Sequence, residues 1–289
     1  MSSVHLPFKV RFDGLDADRN MLEAYPAAHS LEGLTWALAL TMHFAMTGEV
    51  RNRGNLTRSV KIYISPPRRG SFINDLNVFV AENPFLVATV GAYTVNSVTP
   101  YINGVVKYVF NKAIGASATL PQEAQRLVGR LDEGNLERIV ERIEPPLTRA
   151  HKVIGKTSET ISFKSHRTEL ALLDKRSKAY LASRLNEEFE TFDTNVTSFN
   201  ILTGNGRLFD PATNETSAFS LGSNSRHGTA TSLIKSMEHY VSGHKGTIRI
   251  VAQRIETADQ LLKKFIVSSA EEIPSNDWID GVDPLRTAR

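Results

Sequence analysis

Cysteine is absent from all 289 residues, which removes thiol catalysis, iron–sulfur clusters, disulfides and cysteine-bound zinc from consideration. An excess of one charge is missing too: 34 lysines and arginines against 31 acids leave a formal +3, which permits an anionic partner without requiring one. The opening residues, MSSVHLPFKV, contain no apolar run of signal-peptide length, so a cytoplasmic start is expected. There is no nucleophile elbow and no phosphate-cradling loop, because Gly204-Asn205-Gly206 lacks the third glycine and the helix after it. Asp13, Asp16 and Asp18 lack the spacing of a calcium loop and read as a turn. His239 and His244 do not share a helical face, and His151 and His166, each beside a basic residue (Lys152, Arg167), flank a predicted strand and could converge. No catalytic residue, metal site or cofactor is assigned, and the reading leans away from an enzyme. What is present is the composition of a folded chain, 41% hydrophobic and 22% charged, with a length that suggests two domains.

Phe8, Val10 and Phe12 alternate with Lys9 and Arg11, the period of a half-buried strand. From about Ala27 a long helix runs to Thr47-Gly48, apolar on nearly every side, so it needs cover from a sheet and from other helices or another subunit. A hairpin follows, with strands at Val60–Ile64 and Phe72–Val80 joined through Pro66–Gly70. Helices are predicted over 122–131 and 135–143, broken at Pro145-Pro146, then a strand over 157–163 and a charged helix over 169–185. The acidic cluster Glu187, Glu188 and Glu190 is the predicted junction. Three parts result: an α+β and helical assembly domain over 1–190, a small domain over 191–270, and an acidic extended tail over 271–289.

In the second domain, Val196, Phe199-Asn200 and Gly204-Asn205-Gly206 stand at the offsets of the first two strands of a cold-shock domain, which this stretch resembles. Strands over 217–221, 247–255 and 262–268 and a helix over 229–241 complete the order of an OB fold. The fold class expected is therefore α+β: an N-terminal β-α-β-hairpin with helices, and a C-terminal five-stranded OB-like barrel. Cold-shock domains stack bases on aromatic residues, whereas the matching positions here are Ser198, Asn205 and Arg207. Phe199, Arg207 and Phe209 are the candidate barrel surface.

Two further segments carry candidate sites. Arg51, Arg53, Arg58, Lys61, Arg68 and Arg69 form a run without an intervening acid, suited to nucleic-acid phosphates, to anionic lipid head groups, or simply to a solvated sheet edge. Residues 83–106 hold no formal charge. On one helix, Val87, Val90, Val98, Ile102, Val105 and Val109 would make an apolar stripe, kinked at Pro100. The stripe admits three readings: a buried helix or helical hairpin, a surface for assembly or membrane insertion, or a membrane span. If it is an assembly surface, Val98→Asp would stay folded and lose oligomerisation.

Over the whole chain, the run from Phe12 to Asp18, the long helix from His29 and the stretch Pro66–Phe72 resemble an uncharacterised bacterial two-domain family. The resemblance implies a bacterial origin and a two-part division, and it brings no activity, cofactor or site residue. The function expected is non-enzymatic: an assembly or interaction protein, cytoplasmic or peripheral to a membrane, with homo-oligomers and a partner protein as its contacts. Such a protein would suit a stress or phage-defence effector. The alternative is a single-stranded nucleic-acid-binding protein using the barrel and the basic hairpin.

Overall fold

A computed structural model describes residues 3–51, 55–66, 72–210, 214–242, 246–258 and 260–273. The chain separates into two compact units between Leu181 and Ala182, and the class is α+β.

The N-terminal unit is built on an antiparallel sheet of β1 (Ser3–Asp13), β2 (Val60–Ile64), β3 (Phe72–Ala81), β4 (Thr160–Ser165) and β5 (Thr168–Leu173), in the order β2-β3-β1-β4-β5. The alternation in β1 sends Leu6, Phe8, Val10 and Phe12 to one face, where all are buried. Helices α1 (Ala24–Thr47) and α3 (Val95–Ala113) cover that face. The contact runs through three stacked rings: Phe110 lies 5.4 Å from Phe163, which lies 5.3 Å from Phe8. The long helix expected at 27–47 is α1, stopped at Gly48 in the left-handed conformation (φ +69°).

The uncharged segment is two helices rather than one. Asn83 caps α2 (Pro84–Val90) by accepting from Leu86 N at 2.8 Å, and Gly91 ends it at φ +81°. Thr94 and Ser97 then cap α3 reciprocally. Helix α4 (Gln122–Val128) packs on α3. The break predicted at Pro145-Pro146 does not occur, because α5 (Glu133–Ala150) continues through both prolines. Tertiary packing outweighs the proline cost: α5 lies so close to α1 that a Cβ on Gly33 would meet the Pro146 carbonyl at 2.3 Å. The charged helix expected over 169–185 is also replaced. Its first part is β5, held to β4 by a turn in which His166 sits at φ +52°, and only Lys175–Leu181 is helical, as α6. Pairing on a sheet edge overrides the helix propensity of Glu169–Leu173.

The C-terminal unit contains β6 (Arg184–Thr194), β7 (Val196–Asn200), β8 (Asn205–Asp210), β9 (Glu215–Leu221), α7 (Thr229–Val241), β10 (Ile248–Glu256) and β11 (Leu262–Glu272). The order is β6-β10-β11-β9-β8-β7, with β9 and β11 parallel. It is a six-stranded sheet and not the closed five-stranded barrel expected, since its end strands β6 and β7 are joined through Asn195 and do not pair with each other. Glu187, Glu188 and Glu190 lie within β6, which is bonded to β10, so the acidic cluster belongs to a strand of this unit. Helix α7 covers Val196, Leu208, Phe219, Ile250 and Val267 through Leu233. Gly206 admits the closest approach in the unit, because a Cβ there would meet Ser198 O at 2.3 Å and the Phe219 ring at 2.6 Å. Of the acidic tail, residues 274–289 fall outside the described residues, while Glu271 and Glu272 end β11.

Candidate functional site

Of the expected assembly stripe, Val98, Ile102, Val105 and Val109 point from α3 into the N-terminal core, each 0% exposed, while Val87 and Val90 on α2 are half-buried. The lack of charge thus accompanies the burial of α3 from Val98 onward, while α2 is only partly covered. The four α3 side chains offer no surface, so a folded Val98→Asp is not expected of this packing: the change would bury an unpaired carboxylate. Among the described residues, no helix is long and apolar enough to cross a membrane.

The basic run is only partly gathered. Arg51 pairs with Glu49 at 3.7 Å, and its carbonyl accepts from Arg142 at 3.4 Å. Arg58 is exposed in the turn before β2, and Lys61 is exposed on β2, an edge strand. Arg53, Arg68 and Arg69 lie outside the described residues. In the C-terminal unit, Phe209 is 6% exposed, and Phe199 stacks on buried Phe219 at 5.9 Å. Neither ring is the open surface expected: Phe209 is buried on the face it shares with Arg207, and Phe199 is half-buried against the core. Arg207 does lie on the outer face, donating to Thr216 O at 2.7 Å and to Thr216 Oγ1 at 3.2 Å. That face continues as a polar row: Ser220 donates to Asn205 at 2.7 Å and Lys264 donates to Ser220 at 3.1 Å.

His151 and His166 are not a pair. His166 is exposed, whereas His151 is buried, donating from Nδ1 to Leu147 O and accepting at Nε2 from Ser177, both at 2.7 Å. Burial pushes the His151 imidazole down to about 4. Ser177 is buried as well and joins Asp174 in capping α6, so this serine–histidine contact is a structural one with no access for a substrate. Asp13 ends β1, and Asp16 and Asp18 lie in a 3-10 helical turn over Leu15–Arg19, with Asp18 accepting from Gly14 N at 2.8 Å; no cluster that could hold a metal ion occurs among the described residues. A cavity of about 350 Å³ between α1 and β2 is lined by Trp36, Ala39, Leu56, Val60 and Ile62. The acid at its rim, Glu32, is held ionised by a hydrogen bond and ion pair with Arg149 at 2.7 Å.

Two surfaces escape sequence reasoning. The first is the β7–β8 turn, where Ile201 is 65% and Leu202 is 93% exposed. The turn is fixed from within: Asn200 Oδ1 accepts from Leu202 N at 3.0 Å and from Thr203 N at 3.2 Å, and Gly204 closes it at φ +71°. The dipeptide Ile-Leu inside a cold-shock-like turn was its only sequence signal. The second is the sheet face of the N-terminal unit that the helices leave open. There His5 and Phe79 stack at 4.8 Å and Tyr63 meets Phe79 edge-on at 5.8 Å. Neither surface contains a nucleophile with its base, and both are arranged for contact.

No curated protein and no solved structure matches the chain. Residues 188–271 match the family model described as "Family of unknown function (DUF7947)". Residues 8–182, more than half the chain, match the one described as "Domain of unknown function (DUF7946)". The protein is a two-domain member of the Domain of unknown function (DUF7946) family.

Proposed function

We propose that the protein is a non-enzymatic interaction protein whose C-terminal unit is an OB-like module recognising a partner protein. Three strands, a helix and two strands succeed one another, β9 and β11 run parallel, and the first strand is divided at Asn195 between the two ends of the sheet. Phe209 N donates to Asn195 O at 2.9 Å, tying β8 to that joint. This connectivity supports a partly open Greek-key barrel, a fold whose first-to-second and fourth-to-fifth strand loops commonly carry ligands. The observation that carries the partner reading is the rigid turn holding Ile201 and Leu202 in solvent. Two aliphatic side chains fixed in place lose little entropy on docking and gain from desolvation, as interface anchors do. The loop between β10 and β11 adds Leu261, 64% exposed.

Single-stranded nucleic acid is the weaker ligand for this unit, because Phe209 is buried, Phe199 is half-buried against Phe219, and Ser198, Asn205 and Arg207 offer no ring for stacking. In a cross-linking and capture experiment with the full chain, Leu202→Ser is expected to lose the bound protein while stability stays within about 0.5 kcal/mol of the parent. Capture unaffected by Leu202→Ser, with oligonucleotide binding abolished by Arg207→Ser, would overturn the reading.

A further inference from the structure

Helices α1 and α3 pack on the face carrying Leu6, Phe8 and Val10, together with Val60 and Ile62 of β2. Register places Tyr63 opposite Asn77, Lys61 opposite Phe79, and Phe79 opposite His5, so these residues share the other face across β2, β3 and β1. Tyr63 is 55% exposed there, His5 and Lys61 are exposed, and Phe79 is half-buried. A tyrosine and a histidine are thus held against one phenylalanine, with the tyrosine more than half exposed.

The polar groups between the rings are also positioned. His5 Nε2 donates to Asn77 Oδ1 at 2.9 Å, and Asn77 Nδ2 donates to Ser65 at 2.9 Å, which fixes the imidazole and the amide. Charge on this face favours an anion near the rings. Arg11 is neutralised by Asp13 at 2.6 Å, Lys164 lies near Glu169 at 3.8 Å, and Lys9 faces Asp75 across the ladder. Lys61, beside Tyr63 and Phe79, has no carboxylate partner among the described residues. Strand β2 also lies in the stretch from Arg51 to Asn74, which carries six cations and no acid.

We propose that this open sheet face, through Tyr63, Phe79, His5 and Lys61, is a binding site for single-stranded nucleic acid. An unpaired base offers a π-face to Tyr63 and polar edges to Asn77, while its phosphate meets Lys61. A duplex hides those faces in its own stack and fits the site poorly. A protein partner would favour a continuous apolar patch, whereas these rings alternate with lysine, asparagine and serine. The site is separate from the β7–β8 turn proposed to hold a protein, and the two can fail independently.

The test is fluorescence anisotropy of the full chain with labelled oligo(dT) and oligo(U) of about ten nucleotides, a length within the usual span of single-strand sites. The parent is expected to bind, to be competed poorly by a duplex of equal length, and to weaken as salt rises from about 50 to about 200 mM. Tyr63→Ala should weaken binding about tenfold or more, Tyr63→Phe should retain it because the ring remains, and Lys61→Glu should weaken it and flatten the salt dependence. Circular dichroism of each variant establishes that the fold persists. The proposal is overturned if the parent binds no tighter than about 0.1 mM, a level of non-specific contact. It is equally overturned if Tyr63→Ala binds as the parent does. Light scattering that shows a dimer broken by Tyr63→Ala would instead reassign the face to a second copy of the chain.

Discussion

The two sheets are each covered by helices, but to different depths. In the N-terminal unit α1 and α3 lie on the sheet, and α4 and α5 lie on them. In the C-terminal unit α7 is the single helix among the described residues, and its buried positions are Thr229, Leu233 and Ser236. The deeper unit has room for the buried side of α3, whose first three turns carry no charge. The thinner one completes its core with Phe219 and Phe265 and leaves Phe192 and Phe199 only partly buried against it. Depth of cover thus decides which unusual residues are interior and which are left for contact.

The largest test of that contrast is Val98→Asp. A carboxylate at a fully buried α3 position should cost about 4 kcal/mol or more and unfold the N-terminal unit, whereas Val87→Asp on half-buried α2 should cost about 1 kcal/mol. Urea titration monitored by circular dichroism separates the two, and equal costs would break the comparison.

Acid comes next. His151 is neutral in the folded N-terminal unit because burial depresses its pKa to about 4, while the unfolded chain binds the proton near pH 6.5. The stabilisation is therefore fully present above about pH 6.5 and is lost as pH falls toward 4, amounting to about 3 kcal/mol. The C-terminal unit has no buried histidine among its described residues. A urea midpoint for the N-terminal transition that stays flat from pH 7 to about 4 would refute the assignment.

Gly206→Ala probes the thinner unit. The added methyl would press on the Ser198 carbonyl and on the Phe219 ring, costing about 2 kcal/mol and lowering only the C-terminal transition in calorimetry. Leu202→Ser should have the smallest effect on stability, within about 0.5 kcal/mol, because the side chain is almost entirely solvated. A large loss there would mean that the turn tip is packed and not available to a partner.

Elements with an unbroken local period could be read from the chain. The alternation of β1, the β2–β3 hairpin, the glycine stop of α1 and the spacing of Leu233, Met237 and Tyr240 in α7 each follow from residues a few positions apart. The strands β9, β10 and β11 were legible for the same reason. Where a distant surface competed with local preference, the distant surface prevailed. The packing of α5 on Gly33 accompanies a helix that continues through two prolines, and the β4 edge drew Glu169–Leu173 into a strand. The exposed ring cluster was illegible because His5, Tyr63 and Phe79 are brought together only by cross-strand register. Sequence by itself determined the α+β class, the two-part division and most element identities, since these rest on short-range periodicity and capping. Tertiary structure alone decided that α3 is interior from Val98 onward, that Phe209 is buried, and that the open face carries the rings, because burial is set by what packs opposite a residue and not by its neighbours in the chain.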